Sequence, residues 1–327
     1  MLNSLLVQMD FQERSQFSES SSNDFAINSN PNKDCNKRLI ALTNTHALIQ
    51  EKSALEADET GYMNRSLVLA TMPHSKQVSN EFHRKNGNYS MSMLAPSHIG
   101  LPYGSKPRLV LMYLITEAKL KKCRDIVLGE SLSRFMAELG LQPTGGRWGS
   151  IAGLKDQMTR LFSTSIHCRW EDQDSSKIAN MAVVSNAQLW WDHKRPEQGN
   201  LWESTVRLGE EFYNDAIECS IPFDKRAVRA LKQSPLSLDI YLALTHRMSY
   251  QKNSSFNRPI PWRSLQKQYG SGYPETAEGV KNFKKKFTKH LRNVLVLYPS
   301  ARVEICPKGL IIRASPTHVP KRLKAKS

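Results

Sequence analysis

Residues 276–297 read TAEGVKNFKKKFTKHLRNVLVL, and the periodicity of this stretch decides the fold class. Val280, Phe283, Phe287, Leu291 and Val294 fall at intervals of 3, 4, 4 and 3, the spacing of one face of an α-helix. The spacing predicts a helix from about Thr276 to Leu297 with that stripe turned into a core. The opposite side carries Lys281, Lys284, Lys285, Thr288, Lys289 and Arg292. At 3.6 residues per turn, Lys281, Lys285, Thr288, Lys289 and Arg292 share one side. No acid alternates with these lysines, as one would on an ordinary salt-bridged surface helix.

Upstream of this helix, Ser234 and Pro235 start a helix carrying Leu238, Tyr241, Leu242, Leu244 and Thr245, and Trp262–Tyr269 form a short second helix after Pro259 and Pro261. Downstream, Ala301–Ile305, the turn Cys306-Pro307-Lys308-Gly309 and Leu310–Ala314 read as a β-hairpin whose basic residues are Arg302, Lys308 and Arg313. A similar order occurs about 130 residues earlier. Pro107 opens a helix bearing Leu109, Met112, Tyr113 and Leu114, and Ile126–Leu128 is a short strand. A second helix over Ser131–Leu139 stops at Gly140. The glycine-rich turn Thr144–Gly149 then leads into a third helix with Ile151, Leu154, Met158, Leu161 and Phe162 on one face. Extended segments at Ser165–Trp170 and Met181–Trp190, on either side of a polar loop Glu171–Asn180, close the unit. Helix, strand, helix, helix and hairpin is the order of a winged helix. The expectation is therefore an α+β chain of two tandem winged-helix domains after a partly disordered N-terminal tail.

The corresponding boundaries are a flexible tail over 1–60, a first domain over 61–230, a second over 231–316 and a basic C-terminal tail over 317–327. Ser15–Asn36 is rich in Ser and Asn with few large apolar residues, too little to offset the entropy of ordering it. Leu39–Leu55 has a weak helical pattern, and Ser66–Thr71 and Asn88–Leu94 read as strands around the polar turn Arg84–Asn88.

The formal net charge is +16. Met1–Ala95 holds 9 Lys and Arg against 10 Asp and Glu, Pro96–Ala230 holds 18 against 16, and Leu231–Ser327 holds 19 against 4. A surplus confined to one region is an electrostatic footprint for a polyanion, and nucleic acid is the partner that fits a basic helix face of this kind. On the helix predicted from Thr276, lysines suit phosphates, while Arg292 and Thr288 are candidates for base edges. The third helix of the first unit is less basic, with Arg147, Lys155 and Arg160 against Asp156; it either touches DNA or serves assembly, and homodimer formation is left open.

Other classes are disfavoured. The longest apolar run, Leu109–Ile115, is far short of the roughly 18 residues of a membrane span, so no membrane partner is expected. The start MLNSLLVQMDFQERSQ lacks a basic flank and fits poorly as a signal peptide. Cys35, Cys123, Cys168, Cys219 and Cys306 are scattered and odd in number, as free thiols of a reducing cytosol are. Gly100-Leu101-Pro102-Tyr103-Gly104-Ser105-Lys106 is one residue too short between its glycines for a phosphate loop, and Pro107 stands where a hydroxyl is needed. No H-x-H or H-E-x-x-H cluster offers a metal site, Asp172 with Asp174 lies in a polar loop where such residues are common, and His167 and Cys168 are adjacent on a strand and point to opposite faces. The expectation is a cytoplasmic, non-enzymatic protein without cofactors or metals.

Several phrases, taken together and in order, resemble the plasmid-encoded RepA replication initiators. They are Gly100–Gly104 with Pro107-Arg108-Leu109 and Thr116-Glu117-Ala118, Phe135–Gly146 (FMAELGLQPTGG), Leu238–Arg247 (LDIYLALTHR), Pro261-Trp262 with Leu265 and Gln268-Tyr269-Gly270, and Tyr298-Pro299. The resemblance implies a bacterial plasmid protein that binds repeated double-stranded DNA at an origin, opens the duplex locally and recruits the host initiator and replicative helicase. A winged-helix transcriptional regulator of plasmid genes is the alternative.

Overall fold

The computed structural model describes residues 31–190, 204–251, 258–270 and 272–320. The chain forms two compact units, residues 1–38 and 39–327. Helix α1 (Pro31–Glu51) supplies the described part of the first unit and continues into the second, to which every later element of the chain belongs. The expected tail 1–60 differs from the expectation where it is described: α1 runs through it, and its Leu42 and Ile49 are buried. Residues 1–30 and 321–327, and with them much of both expected tails, lie outside the described residues.

The second unit mixes helices and strands. Strand β1 (Thr60–Asn64) ends at a buried asparagine whose side chain accepts from the backbone N–H of Ser66 and Leu67, starting helix α2 (Arg65–Leu69). That cap is why Ser66–Thr71, a strand by composition, turns into a helix. After it come the hairpin β2 (Glu81–Asn86) and β3 (Tyr89–Leu94), joined by Gly87 at a φ of 59°, where a glycine relieves the turn. Then follow helix α3 (Ser105–Lys121), β4 (Asp125–Val127), α4 (Leu132–Glu138) and α5 (Ser150–Phe162). Next are β5 (Ser165–Glu171), β6 (Ser176–Ala182), β7 (Val184–Gln188) and β8 (Thr205–Leu208).

The helices of this half match the expected order, but the hairpin is used differently. β5 and β6 join β2 and β3 in a four-stranded sheet ordered β2-β3-β5-β6. The chain passes the buried Val183 and continues as β7 in a second sheet, ordered β4-β8-β7. The expected loop Glu171–Asn180 shrinks to a turn, because Glu171 pairs with Ser176 and Ile166 with Met181.

Helix α6 (Glu210–Glu218), β9 (Ser220–Asp224) and α7 (Lys225–Leu231) complete the middle of the chain. β9 pairs antiparallel with β1 in the register Thr60↔Asp224 to Asn64↔Ser220. It also ends as β1 does, on a buried Asx residue: the Asp224 side chain accepts from the Arg226 N–H and starts α7. Strand, Asx cap and short helix thus occur twice, on two strands that pair with each other.

Helix α8 (Pro235–Tyr250) begins at Ser234, which accepts from the Ser237 N–H, with Pro235 in the first turn. β10 (Ile260–Pro261), α9 (Trp262–Tyr269), α10 (Ala277–Leu297), β11 (Val303–Cys306) and β12 (Gly309–Ile312) follow. The three strands form a sheet ordered β10-β12-β11, so the strand before α9 pairs with the last strand of the hairpin. Phe283, Phe287, Leu291, Val294 and Leu297 of α10 are buried, against α8 and the aromatic rings of Trp262 and Tyr269. Burying each such side chain is worth about 1.5–3 kcal/mol. The two halves share one continuous core, and Arg108 of α3 meets Asp239 of α8 inside it.

Candidate nucleic-acid interface

The N-terminus of α10 is set by Thr276, whose side chain accepts from the Gly279 N–H at 3.1 Å. With Phe283, Phe287 and Leu291 fixed in the core, helical geometry leaves no freedom in what the other side presents. Lys281, Lys285, Lys289 and Arg292 are exposed there, and among the described residues no carboxylate lies within ion-pair distance of the three lysines. The one acid of the first turn, Glu278, accepts from Asn282 at 3.2 Å.

Two members of the expected set depart from it. Lys284 is half-buried, with its ammonium 5.2 Å from the centroid of the Trp262 ring, so it packs along the α9 face. Thr288 is half-buried as well, and its hydroxyl is out of solvent without a hydrogen-bond partner among the described residues. As it stands that hydroxyl cannot meet a base edge, because the helix turns it toward the core side of the basic face. Conversely, Lys286 is exposed on the same helix, about 100° around the axis from the centre of the basic face. Grouping residues by one shared side passed over it.

On the hairpin, Lys308 sits exposed in the two-residue turn between β11 and β12, and Arg302 is exposed beside β11. Arg313 is half-buried and bonded through Nη2 to Glu304 Oε2 at 2.8 Å, so its charge is partly spent across the hairpin. In the first half, Arg160 bonds Asp156 at 2.9 Å and lies over the Tyr103 ring, a structural use of its guanidinium. Lys155 is exposed one turn away, and Arg147 is exposed with its guanidinium 5.3 Å from the ring of Trp148, itself 90% exposed. Arg147, Lys155 and Arg160 thus stand on or before α5, away from the α10 set in sequence. Arg263 and Lys267 on α9 are also exposed. The excess of 19 basic over 4 acidic residues in 231–327 signalled them, although no periodic pattern did.

What this surface can do chemically is bind anions. Its groups are ammonium and guanidinium donors at the ends of long side chains, and such groups neutralise phosphates in an affinity that falls with salt. Among the described residues no group of three His, Cys, Asp or Glu side chains could hold a metal ion, and no helix is long and apolar enough to cross a membrane. Cys123, Cys168, Cys219 and Cys306 are free thiols.

No curated protein matches the sequence. Two solved structures resemble the fold at 9% identity. A selenomethionine derivative of domains 2 and 3 of RctB gives a TM-score of 0.45 over 69% of this chain and 83% of that one. Another structure of RctB domains 2–3 gives 0.42 over 69% and 82%. The family model described as plasmid-encoded RepA protein matches residues 101–263. The matched stretch contains Gly104, Pro107-Arg108-Leu109, FMAELGLQPTGG and LDIYLALTHR, and through residues 101–263 this chain belongs to the plasmid-encoded RepA family.

Proposed function

We propose that this protein is a plasmid replication initiator that binds repeated double-stranded DNA at the origin through α10, laid in the major groove, and that it acts by binding and not by catalysis. The observation that carries the reading is the build of α10: an acid-poor face of Lys281, Lys285, Lys289 and Arg292 backed by a buried aromatic stripe. Membership of the RepA family supports the initiator role.

In this reading the elements from α8 to β12 are a winged helix, with α10 as recognition helix and Lys308 and Arg302 on the wing against the backbone. The support is the connection order and the pairing of β10 with β12. The half from α3 to β8 is a second, modified winged helix that serves assembly or makes a weaker DNA contact with Arg147 and Lys155. Opening of the duplex and recruitment of a host initiator and helicase rest on the family alone. The protein acts in the bacterial cytoplasm, where its thiols stay reduced.

A footprint on the DNA flanking the gene tests the proposal. Regularly spaced protected repeats, together with plasmid loss when the gene is disrupted, are the expected result. A single protected palindrome with normal plasmid maintenance would instead identify a transcriptional regulator.

A further inference from the structure

A second cationic feature lies next to α10 and is not used by that reading. A cleft of about 500 Å³ opens between β2 and α9. His83, Arg84 and Lys85 come to it from β2, Arg263 and Lys267 from α9, and Glu275 is the one acid among the residues that line it. Its rim includes Tyr273, in the turn that enters α10, so the cleft adjoins the N-terminal end of the lysine-bearing helix.

Arg84 is the informative residue. Strand alternation turns it, with Phe82, to the buried side of β2, and it is only 8% exposed. Its guanidinium lies 4.6 Å from the Phe82 ring centroid, and Nη1 donates to the Lys267 carbonyl at 3.4 Å, in the last turn of α9. Nε and Nη2 are out of solvent and have no hydrogen-bond partner among the described residues. These two atoms form the side-on edge of the guanidinium, the fork that matches two oxygens of a carboxylate or phosphate. A buried cation with two idle donors is costly, so it needs either a partner or a reason. Asp239 is not that partner, because Arg108 and His74 already hold both of its oxygens. Burial draws the Arg84 pKa down to about 10, with Asp239 opposing and Arg108 adding, which still leaves it charged at neutral pH.

With Lys85, Arg263 and Lys267 exposed around the mouth, the site favours a ligand that carries several negative charges close together, as a run of backbone phosphates or a pyrophosphate does and a lone carboxylate does not. We infer that the cleft between β2 and α9 is a phosphate-binding site, with the Nε/Nη2 fork of Arg84 at its base and Arg263 and Lys267 at its mouth. The phosphoryl group belongs either to the DNA backbone, running on from α10, or to a free phosphate compound. Only the DNA source rests on the reading of α10; the phosphate chemistry stands apart from it.

The full chain is titrated with inorganic pyrophosphate by calorimetry and thermal melting, and with a random-sequence duplex over a range of salt. The variants are Arg263→Ala with Lys267→Ala, both exposed, and Arg84→Lys, which keeps the charge and removes the fork. Lys121→Ala with Lys122→Ala is the control of equal charge. Wild type is expected to bind pyrophosphate with a rise in melting temperature, and both cleft variants to bind it about tenfold or more weakly, the loss typical of hydrogen bonds to charged groups. If the ligand is DNA, the paired variant also lowers the slope of log K against log salt by about 2. An unchanged slope with the pyrophosphate loss assigns the cleft to a free phosphate compound. Wild type that binds no duplex, with pyrophosphate binding lost in the cleft variants, sinks the α10 reading and leaves the cleft standing. No pyrophosphate binding by wild type, unchanged binding by both cleft variants, or an equal loss in the control overturns the inference.

Discussion

Both oxygens of Asp239 are engaged: Oδ1 accepts from Arg108 Nε at 2.8 Å, and Oδ2 accepts from Arg108 Nη2 at 2.8 Å and from His74 Nε2 at 2.7 Å. The other Arg108 donors reach the carbonyls of Met72, Pro73 and Gly104, so the buried guanidinium is saturated. Burial pushes the Asp239 carboxyl up, but the Arg108 charge and the bonds from His74 and Arg108 outweigh it and hold its pKa below the ordinary value. For His74, burial lowers the pKa against the pull of Asp239, so the ring is neutral and donates from Nε2. His246, half-buried on α8, is drawn down to about 4 by its partial burial and by the charges of Arg65 and Arg247. All three shifts have one sign: each folded pKa lies below its unfolded one. The histidines contribute stability above their unfolded pKa of about 6.5, and Asp239 contributes above about 4; each contribution is lost as pH falls through the folded value. The urea midpoint should therefore be level above about pH 7 and decline steadily on acidification, and His74→Gln should flatten the upper part of that decline. A midpoint that rises between pH 7 and 5 would contradict this account. Thr288 gives a second test at this scale. Since its hydroxyl is buried and unpartnered, Thr288→Val should leave duplex affinity unchanged and stability equal or slightly higher, because an apolar isostere removes an unsatisfied group. A selective loss of binding to the cognate repeat would restore Thr288 as a base-reading residue.

Elements of strong period were legible from the sequence, and elements made by distant partners were not. The α10 stripe of Val280, Phe283, Phe287, Leu291 and Val294 needed only its own spacing, and so did α5 with Ile151, Leu154, Met158 and Leu161. The Ser66–Thr71 segment failed because one side chain, Asn64, caps a helix that β-rich composition argues against; Asp215, 151 residues away, braces that cap from α6 at 2.7 Å. β6 and β7 divide between two sheets at Val183, a choice set by the pairing of β5 and β8 and invisible in either segment alone. In the candidate interface, the lysines of α10 were legible for the same reason as its stripe. The idle fork of Arg84 was not, since it arises from the packing of β2 on α9. The prediction that belongs to this scale concerns α10 as a unit. Lys281→Ala, Lys285→Ala and Lys289→Ala should each weaken specific and random duplex alike and lower the salt slope by about 1, measured by titration at several ionic strengths. Lys284→Ala should act instead on stability, because its ammonium lies over Trp262. If Lys121→Ala and Lys122→Ala reduce binding as much as the three lysines do, diffuse charge and not the helix face governs affinity.

Within residues 39–327, the contacts that cross the expected boundary at 230 are specific and at least partly buried, unlike those of two loosely joined domains. Arg108 meets Asp239, the Thr71 hydroxyl donates to the Gln268 carbonyl at 3.3 Å, and Gln268 Nε2 donates to the Leu69 carbonyl at 3.1 Å. Two phrases on which the family resemblance rested, Pro107-Arg108-Leu109 and Leu238–Arg247, are thus joined by one ion pair. Strand, Asx cap and short helix occur at both β1 and β9, and the second of these segments begins at Ser220, ahead of that boundary. The same logic decides what the N-terminal segment is for. Composition marks residues 1–60 as a flexible tail, but Leu42 is 1% and Ile49 8% exposed, and Ala54 is buried too. Arg226 of α7 donates to the carbonyls of Leu48 and Lys52 at 2.9 Å, the Lys225 N–H to that of Glu59 at 2.8 Å, and Arg229 pairs with the Glu59 carboxylate. A chain that begins at Tyr62 loses these partners and leaves the apolar surface beneath Leu42 and Ile49 open to water, at about 1.5–3 kcal/mol for each buried side chain. It should unfold at a clearly lower urea concentration than the full chain, while a chain that begins at Leu39 keeps most of the full midpoint. Duplex affinity under native conditions should be similar for all three, since none of the α10 residues is touched. Equal urea midpoints for the chains starting at Leu39 and Tyr62 would show that residues 39–61 add nothing to the core, and a large loss of affinity in the Leu39 chain would place part of the DNA contact ahead of it.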